Sequence, residues 1–138
     1  PPVMVQADGL RWGLSICYDL RFPEHYQALR EQGAEVLAVP AAFTETTGAA
    51  HWETLLRARA IENQCYLVAA NQCGTHASGR RTYGHSMIID PWGRILADAG
   101  VEPGVISATL DLDELHALRE RFPVHRHRRT NDVQSERP

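Results

Sequence analysis

GLSICYDLRFPE, residues Gly13 to Glu24, decides how the rest of the chain is read. A short apolar run, Leu14 to Ile16, ends on Cys17. Tyr18–Asp19 follows with turn chemistry, and Pro23 stands where a helix begins. The stretch reads as strand, sharp turn and helix, with a thiol at the strand's C-terminal end. In α/β proteins that end of the sheet collects ligands and catalytic groups. A thiol placed there can meet a substrate while turn N–H groups face a developing oxyanion. The competing reading of Cys17 is a small buried hydrophobe, the usual fate of a free cysteine.

Outward from this stretch the punctuation is regular. Val3–Gln6 and Leu10–Cys17 read as a hairpin across Ala7-Asp8-Gly9, because Asp-Gly between β runs signals a tight turn. Pro23 to Gln32 reads as a helix stopped at Gly33. Glu35–Pro40 and Cys65–Asn71 are short apolar runs of the kind buried on both faces of a sheet. Between them, Ala41–Ala50 reads as a loop. His51–Gln64 reads as a helix whose inward face carries Trp52, Leu55, Leu56, Arg59 and Ala60.

Gly74–Arg81 reads as a polar loop. Gly84–Asp90 and Arg94–Ala97 read as strands joined by Pro91-Trp92-Gly93, and Val105–Leu110 as a further strand. Asp111 and Glu114 have capping-box spacing and open a last helix, with Leu112, Leu115, Leu118 and Phe122 inward and Pro123 as its stop. Residues 124–138 form a polar, arginine-rich tail. The expected order is ββαβαββββα, a layered α/β sandwich with the late strands antiparallel, rather than a plain doubly wound fold.

Composition narrows the function classes. The chain has 138 residues, 43% hydrophobic and 22% charged, which is globular rather than disordered. A net charge of −3 gives no electrostatic case for nucleic acid or an anionic membrane. No apolar run is long enough to span a bilayer, and no signal peptide is apparent. Three cysteines without a scaffold spacing point to a reducing cytoplasm. The chain begins Pro1–Pro2, and all fourteen of its Lys and Arg residues are arginine. The first suggests part of a longer product; the second removes any mechanism needing an amine side chain from these residues.

A thiol reacts as thiolate, so Cys17 needs a base or a nearby positive charge. Seven histidines are candidates, and His51 and His85, each at the start of an element beside a loop, are the better placed. No Cys/His spacing matches a structural zinc site, so no metal is expected. Asp19, Arg21 and Glu24 read either as substrate contacts or, the preferred reading, as an ion-pair set that keeps the turn rigid. Arg59 and Glu62 read as structural support from the long helix.

GLSICYDLRFPE, then PAAFTETTGAAHWETLLRARAIENQCYLVAANQCG (Pro40–Gly74), then YGHSMIIDPWG (Tyr83–Gly93), resemble the nitrilase, or carbon–nitrogen hydrolase, superfamily. The resemblance runs from about Val3 to Arg129 in the family's order. Within the superfamily, IENQCYLVAANQCG with GRRTYGHSM is most similar to the deaminated glutathione amidase branch, with the ω-amidases of 2-oxo acid amides next.

The resemblance implies a four-layer α-β-β-α sandwich, of which this chain is the C-terminal half. It also implies a Glu–Lys–Cys triad in which Cys17 is the nucleophile and the Tyr18 N–H an oxyanion donor. The Glu and Lys belong to the N-terminal half, and the absence of lysine here agrees with that. Ala42, Phe43 and Thr44 are expected to line the substrate pocket, with Thr47 and Gly48 as weaker candidates. No metal or organic cofactor is implied. The expected partner is a small amide, not nucleic acid or membrane, and the whole protein is expected to be a homodimer or larger homo-oligomer. Arg126, Arg128 and Arg129 are expected at the subunit interface. Alternatives left open are a complete small cysteine hydrolase with an in-chain His base, a non-catalytic interaction module, and a nucleic-acid binder using the tail.

Overall fold

A computed structural model describes residues 1–129 of the chain. Its strands are β1 (Val3–Ala7), β2 (Leu10–Leu14), β3 (Val36–Ala41), β4 (Tyr66–Asn71), β5 (Cys73–Thr75), β6 (Arg81–Tyr83), β7 (Met87–Ile89) and β8 (Ile95–Asp98). Its helices are α1 (Pro23–Glu31), a single turn α2 (Glu45–Thr47), α3 (Glu53–Asn63) and α4 (Leu112–Arg121). Six strands form one sheet in the order β1-β2-β3-β4-β7-β8. β2, β3 and β4 run parallel; β1 pairs antiparallel with β2, β7 antiparallel with β4, and β8 antiparallel with β7. β5 and β6 form a separate two-stranded ribbon.

The two faces of the sheet are treated differently. On one, Leu37, Val39, Leu67, Ala69, Met87 and Ile89 are buried against Tyr26 and Leu29 of α1 and Leu56 and Ala60 of α3, with Trp52 just before that helix. Alternate residues of β3 and β4 point to this side, as the two-residue strand period requires. α1 sits so close to β2 that a Cβ at Gly13 would lie 3.1 Å from Leu29 Cβ. On the opposite face α4 covers one end only, with Leu115 buried against Val36 and Tyr66 and with Leu10, Trp12 and Val68 half-buried around them. Elsewhere this second face is open. The β1–β2 register places Val3 opposite Leu14 and Val5 opposite Trp12, and Val3, Val5 and Leu14 are 52%, 43% and 36% exposed. One helix layer and one sheet of an α-β-β-α sandwich are thus present, and the sheet's second face is largely uncovered. No described helix is long and apolar enough to cross a membrane.

The structure revises several boundaries. The strand before the thiol ends at Leu14, not Cys17, and residues Cys17–Arg21 form a tight 3-10 turn. Ser15 N–H still follows the sheet by bonding Ala38 O at 3.1 Å, but the chain then leaves it. The loop expected at Ala41–Ala50 winds into α2 and a wide turn at Gly48–Trp52 before α3 begins at Glu53. The polar loop Gly74–Arg81 has β structure at both ends, where Cys73, Gly74 and Thr75 pair with Tyr83, Thr82 and Arg81. Only Met87–Ile89 of the expected strand Gly84–Asp90 joins the sheet. Val105–Leu110 pairs with no described strand, and Val105 is 97% exposed. A strand needs a ladder partner, and β1 and β8 end the sheet without one for it. Phe122 turns outward, half-exposed over Trp92, because the chain leaves helical geometry at that residue. The tail assignment falls partly outside the described residues; within them Val124–His127 forms one further 3-10 turn.

Candidate active site

Parallel strands deliver their C-terminal ends to one edge of a sheet. Here that edge receives Cys17 after β2, Ala42–Thr44 after β3 and Asn71 at the end of β4. A pocket of about 220 Å³ opens there, lined by Cys17, Tyr18, Arg21, Ala42, Phe43, Thr44, Thr47 and Arg80.

Cys17 enters the turn at φ +47°, the left-handed region where a side chain costs energy. Of the other non-glycine residues with positive φ, Asp8 sits in a hairpin turn and Gln64 ends α3 in the left-handed geometry common after helices. Cys17 and His85 (φ +52°) have no such general reason, and the strain of Cys17 falls on the pocket. The conformation is imposed from both sides. Before it, Ser15 Oγ donates to Ala38 O at 2.9 Å and receives the Tyr26 hydroxyl at 2.8 Å. Burial pushes the Tyr26 phenol up to about 12, despite the bond to Ser15. After it, the Asp19 carboxylate accepts the Ile16 N–H at 2.9 Å. Further along, the buried Arg59 donates from Nε to Leu20 O at 3.1 Å and pairs with Glu62 at 3.1 Å. The first N–H to bond back within the turn is that of Asp19, to Ile16 O at 3.0 Å. The Tyr18 N–H therefore has no partner inside the turn, as at the start of any helix.

The ion-pair set expected of Asp19, Arg21 and Glu24 does not form. Asp19 caps its own turn, a shorter reach than any guanidinium. Arg21 instead lies over the rings of Tyr18 and Phe43, 5.4 and 5.3 Å from their centres, and meets His51 Nδ1 at 3.3 Å. Glu24 lies in the first turn of α1, where its charge suits the helix N-terminus. The histidine candidates lie elsewhere: His51 contacts Arg21, while His85 stacks on Tyr83 and meets the Asp98 carboxylate at 3.1 Å. Neither lines the pocket with Cys17.

Ala42, Phe43 and Thr44 share that pocket with Cys17. The buried Asn71 side chain fixes them, accepting the Phe43 N–H at 2.8 Å and donating to Gly84 O at 2.7 Å. Phe43 packs on Trp52, ring centres 4.8 Å apart. Thr44 and Thr47 join their hydroxyls at 2.9 Å, so Thr47 also reaches the pocket. Gly48 does not line it: a side chain there would strike Tyr83, so the glycine allows the turn to lie on β6. Two site residues escape a reading of the sequence. Asn71 carries a usable signal, since a buried amide at a parallel strand's end is placed to bond the neighbouring loop. Arg80 carries none, because it lies in a loop without periodicity. At the far side of the molecule, Arg128 folds onto α1, bonding Glu31 and Gln27 at 3.0 Å each.

Comparison with known proteins agrees with this architecture. A family model described as carbon–nitrogen hydrolase matches residues 2–120. The deaminated glutathione amidase of Synechocystis is 56% identical over 128 residues, covering 93% of this chain and 47% of that protein. The crystal structure of the Caenorhabditis elegans NitFhit protein superposes with a TM-score of 0.86 at 52% identity, covering 95% of this chain and 31% of that one. An amidase from Nesterenkonia, solved as a glutamate-to-glutamine mutant after Michael addition of acrylamide at its active-site cysteine, gives a TM-score of 0.72 at 36% identity, covering 92% of this chain and 48% of that one. The chain thus spans half or less of the length of these relatives. With the match of the family model over most of its residues, the chain belongs to the carbon–nitrogen hydrolase family.

Proposed function

We propose that this chain carries the nucleophile of a thiol amidase that hydrolyses a non-peptide C–N bond in a small amide, most like deaminated glutathione amidase. The observation that supports this best is the strained Cys17, held at the C-terminal edge of parallel strands and facing Phe43 and Thr44 across one pocket. The relatives named deaminated glutathione amidase support the substrate class.

Cys17 attacks the amide carbon as its proton passes to a base. No histidine or carboxylate lines the pocket among the described residues, so that base lies outside this lining. The resemblance supplies it as a Glu on a completing N-terminal half, with a Lys from the same half and the Tyr18 N–H holding the tetrahedral oxyanion. The protonated Glu returns its proton to the leaving nitrogen, so the C–N bond breaks, releasing an amine (ammonia where the substrate is a primary amide) and leaving a Cys17 thioester. Water, losing a proton to the same Glu, attacks the thioester and returns the thiol and a carboxylic acid. The same half is expected to supply the sheet that covers the open face around Val3, Val5 and Leu14. This chain alone is therefore inactive.

Hydrolysis of deaminated glutathione at its acyl–cysteine amide bond, followed as release of cysteinylglycine and measured for the chain with its completing half, tests the reading. Activity that disappears in Cys17→Ala is expected. Activity of the isolated chain that depends on His51 or His85 would replace it with a self-contained cysteine hydrolase.

A further inference from the structure

The N-terminal ends of β3 and β4 lie at the sheet edge opposite Cys17, and a second cluster of charged groups gathers there. α1, α4 and the last 3-10 turn meet around an open cavity of about 270 Å³, whose lining includes Arg30, His116, Arg119, Glu120, His125 and Arg126. Two of the guanidiniums are half-buried and mounted on the backbone. Arg30 donates from Nε to Asn63 O at 3.0 Å. Arg119 donates from Nε to Gln64 O at 2.9 Å, and from one terminal nitrogen to Ala34 O and Gln64 O at 2.8 Å each. These acceptors are neutral carbonyls, so they fix the side chains without cancelling their charge. The Cys65 thiol, 3.3 Å from Arg119, does not cancel it either, because burial pushes that thiol up to about 11. The carboxylates behind the cavity are engaged elsewhere. Glu35 takes the Arg11 N–H and guanidinium and meets His116 Nε2 at 3.3 Å, and Glu31 takes Arg128 at 3.0 Å. Glu120 is the carboxylate of the lining, against three arginines. His125 is the uncompensated member. Its Nε2 is buried with no hydrogen-bond partner among the described residues, a bond left unmade. Burial, and then the charges of Arg30, Arg128 and Arg119, hold its imidazole below the ordinary histidine range, against a smaller pull from Glu31. The lining has no Phe, Tyr or Trp to hold a flat apolar group, so the cavity suits a compact anion.

We propose that this cavity is a binding site for a tetrahedral oxyanion of the phosphate class, held by Arg30, Arg119 and Arg126 with His125 Nε2 as a further donor. Guanidinium groups match the oxygens of a phosphate and keep their charge near neutral pH. The donors come from α1, from α4 and from the turn that follows α4, so a bound dianion ties that turn to the base of the sheet. The site is independent of the amidase reading: it lies at the other end of the parallel strands and needs neither Cys17 nor a base. An anion in the cavity favours the charged form of His125, so binding takes up a proton and tightens as pH falls.

Calorimetric titration of the completed protein at constant ionic strength tests the site, with inorganic phosphate, methyl phosphate and sulfate as probes. Saturable binding of one phosphate per chain is expected. Weaker binding of methyl phosphate identifies the free ion as the occupant, and equal or tighter binding identifies the phosphoryl end of a larger molecule. Arg126 is exposed, and its guanidinium has no partner among the described residues, so Arg126→Gln spares the fold. It is expected to raise the Kd about three- to tenfold, the scale of one charge-assisted contact at a partly exposed site. Sulfate stays a dianion between pH 8 and about pH 6, so its tightening over that range reads the protein's own protons. That tightening is expected to shrink in His125→Gln. Arg94→Gln removes the same charge outside the cavity, where Arg94 faces Asp90, and is expected to leave the Kd in place. Absence of saturable binding, or a Kd that shifts as far in Arg94→Gln as in Arg126→Gln, overturns the proposal and leaves a general salt effect. Lost binding in Arg126→Gln together with a changed oligomeric state on gel filtration assigns that arginine to a subunit contact and also overturns it.

Discussion

Cys17 sits where a glycine would be more comfortable. A non-glycine residue at φ +47° costs on the order of 1 kcal/mol, and the bonds of Ser15, Tyr26, Asp19 and Arg59 hold it there. Cys17→Gly is therefore expected to be more stable than Cys17→Ala by about 1 kcal/mol in urea unfolding, both lacking the thiol. Equal stabilities would mean that the turn is not strained. Tyr26 offers a second check. Its phenol titrates at about 12 in the fold against 10.0 ordinarily, because burial penalises the phenolate. Between those values the unfolded chain holds fewer protons than the native one, so stability falls as pH rises from 10 toward 12. Below pH 10 the contribution is intact. Tyr26→Phe is expected to flatten that alkaline decline, leaving the part due to the buried Cys65 thiol, which burial pushes up to about 11. A decline as steep in Tyr26→Phe would assign it to other groups. At this scale the sequence is informative where a residue has distinctive neighbours. Cys17 and Phe43 are marked by their flanking motifs, whereas Arg80 depends on a fold that brings residues 17 and 80 to one pocket.

Elements carry those residues to their places, and α3 does most for the turn. Its Arg59 is buried, with Nε on Leu20 O and a terminal nitrogen on Glu62. Arg59→Met keeps the packing stem and removes the bonds, leaving the Leu20 carbonyl without its donor. A loss of about 2 kcal/mol is expected in urea unfolding, together with slower alkylation of Cys17 as the turn loosens. Loss of stability with an unchanged alkylation rate would separate Arg59 from the site. The helices and the central strands are legible because their apolar patterns are clear and their ends are marked: Pro23 opens α1, Gly33 follows it, and β3 and, up to Asn71, β4 are unbroken apolar runs. The ribbon of β5 and β6 is not. Three residues per strand are too few for alternation to register, and its polar tip masks the pairing. Val105–Leu110 misleads for the opposite reason. Its local pattern is that of a strand, but no partner for it exists among the described residues, and pattern alone does not supply a ladder.

The molecule as a whole is a sheet with one finished face. α1 and α3 bury one side, α4 caps one end of the other, and Val3, Val5 and Leu14 remain exposed, as does Val105 in a segment that pairs with no described strand. Exposed apolar surface of this kind marks an interaction face. The isolated chain is expected to self-associate and to bind an apolar dye, with both properties lost when the completing half is co-expressed. A monomeric, dye-silent chain with cooperative melting would show the face to be stable as it stands. Acid quench of the completed protein during turnover, followed by mass analysis of its peptides, decides whether Cys17 carries the acyl group during amide hydrolysis. The substrate's acyl mass is expected on the peptide containing Cys17, with no acyl adduct in Cys17→Ala. Turnover with that peptide unmodified, or with the acyl group on Cys65 or Cys73, would show that Cys17 is not the nucleophile.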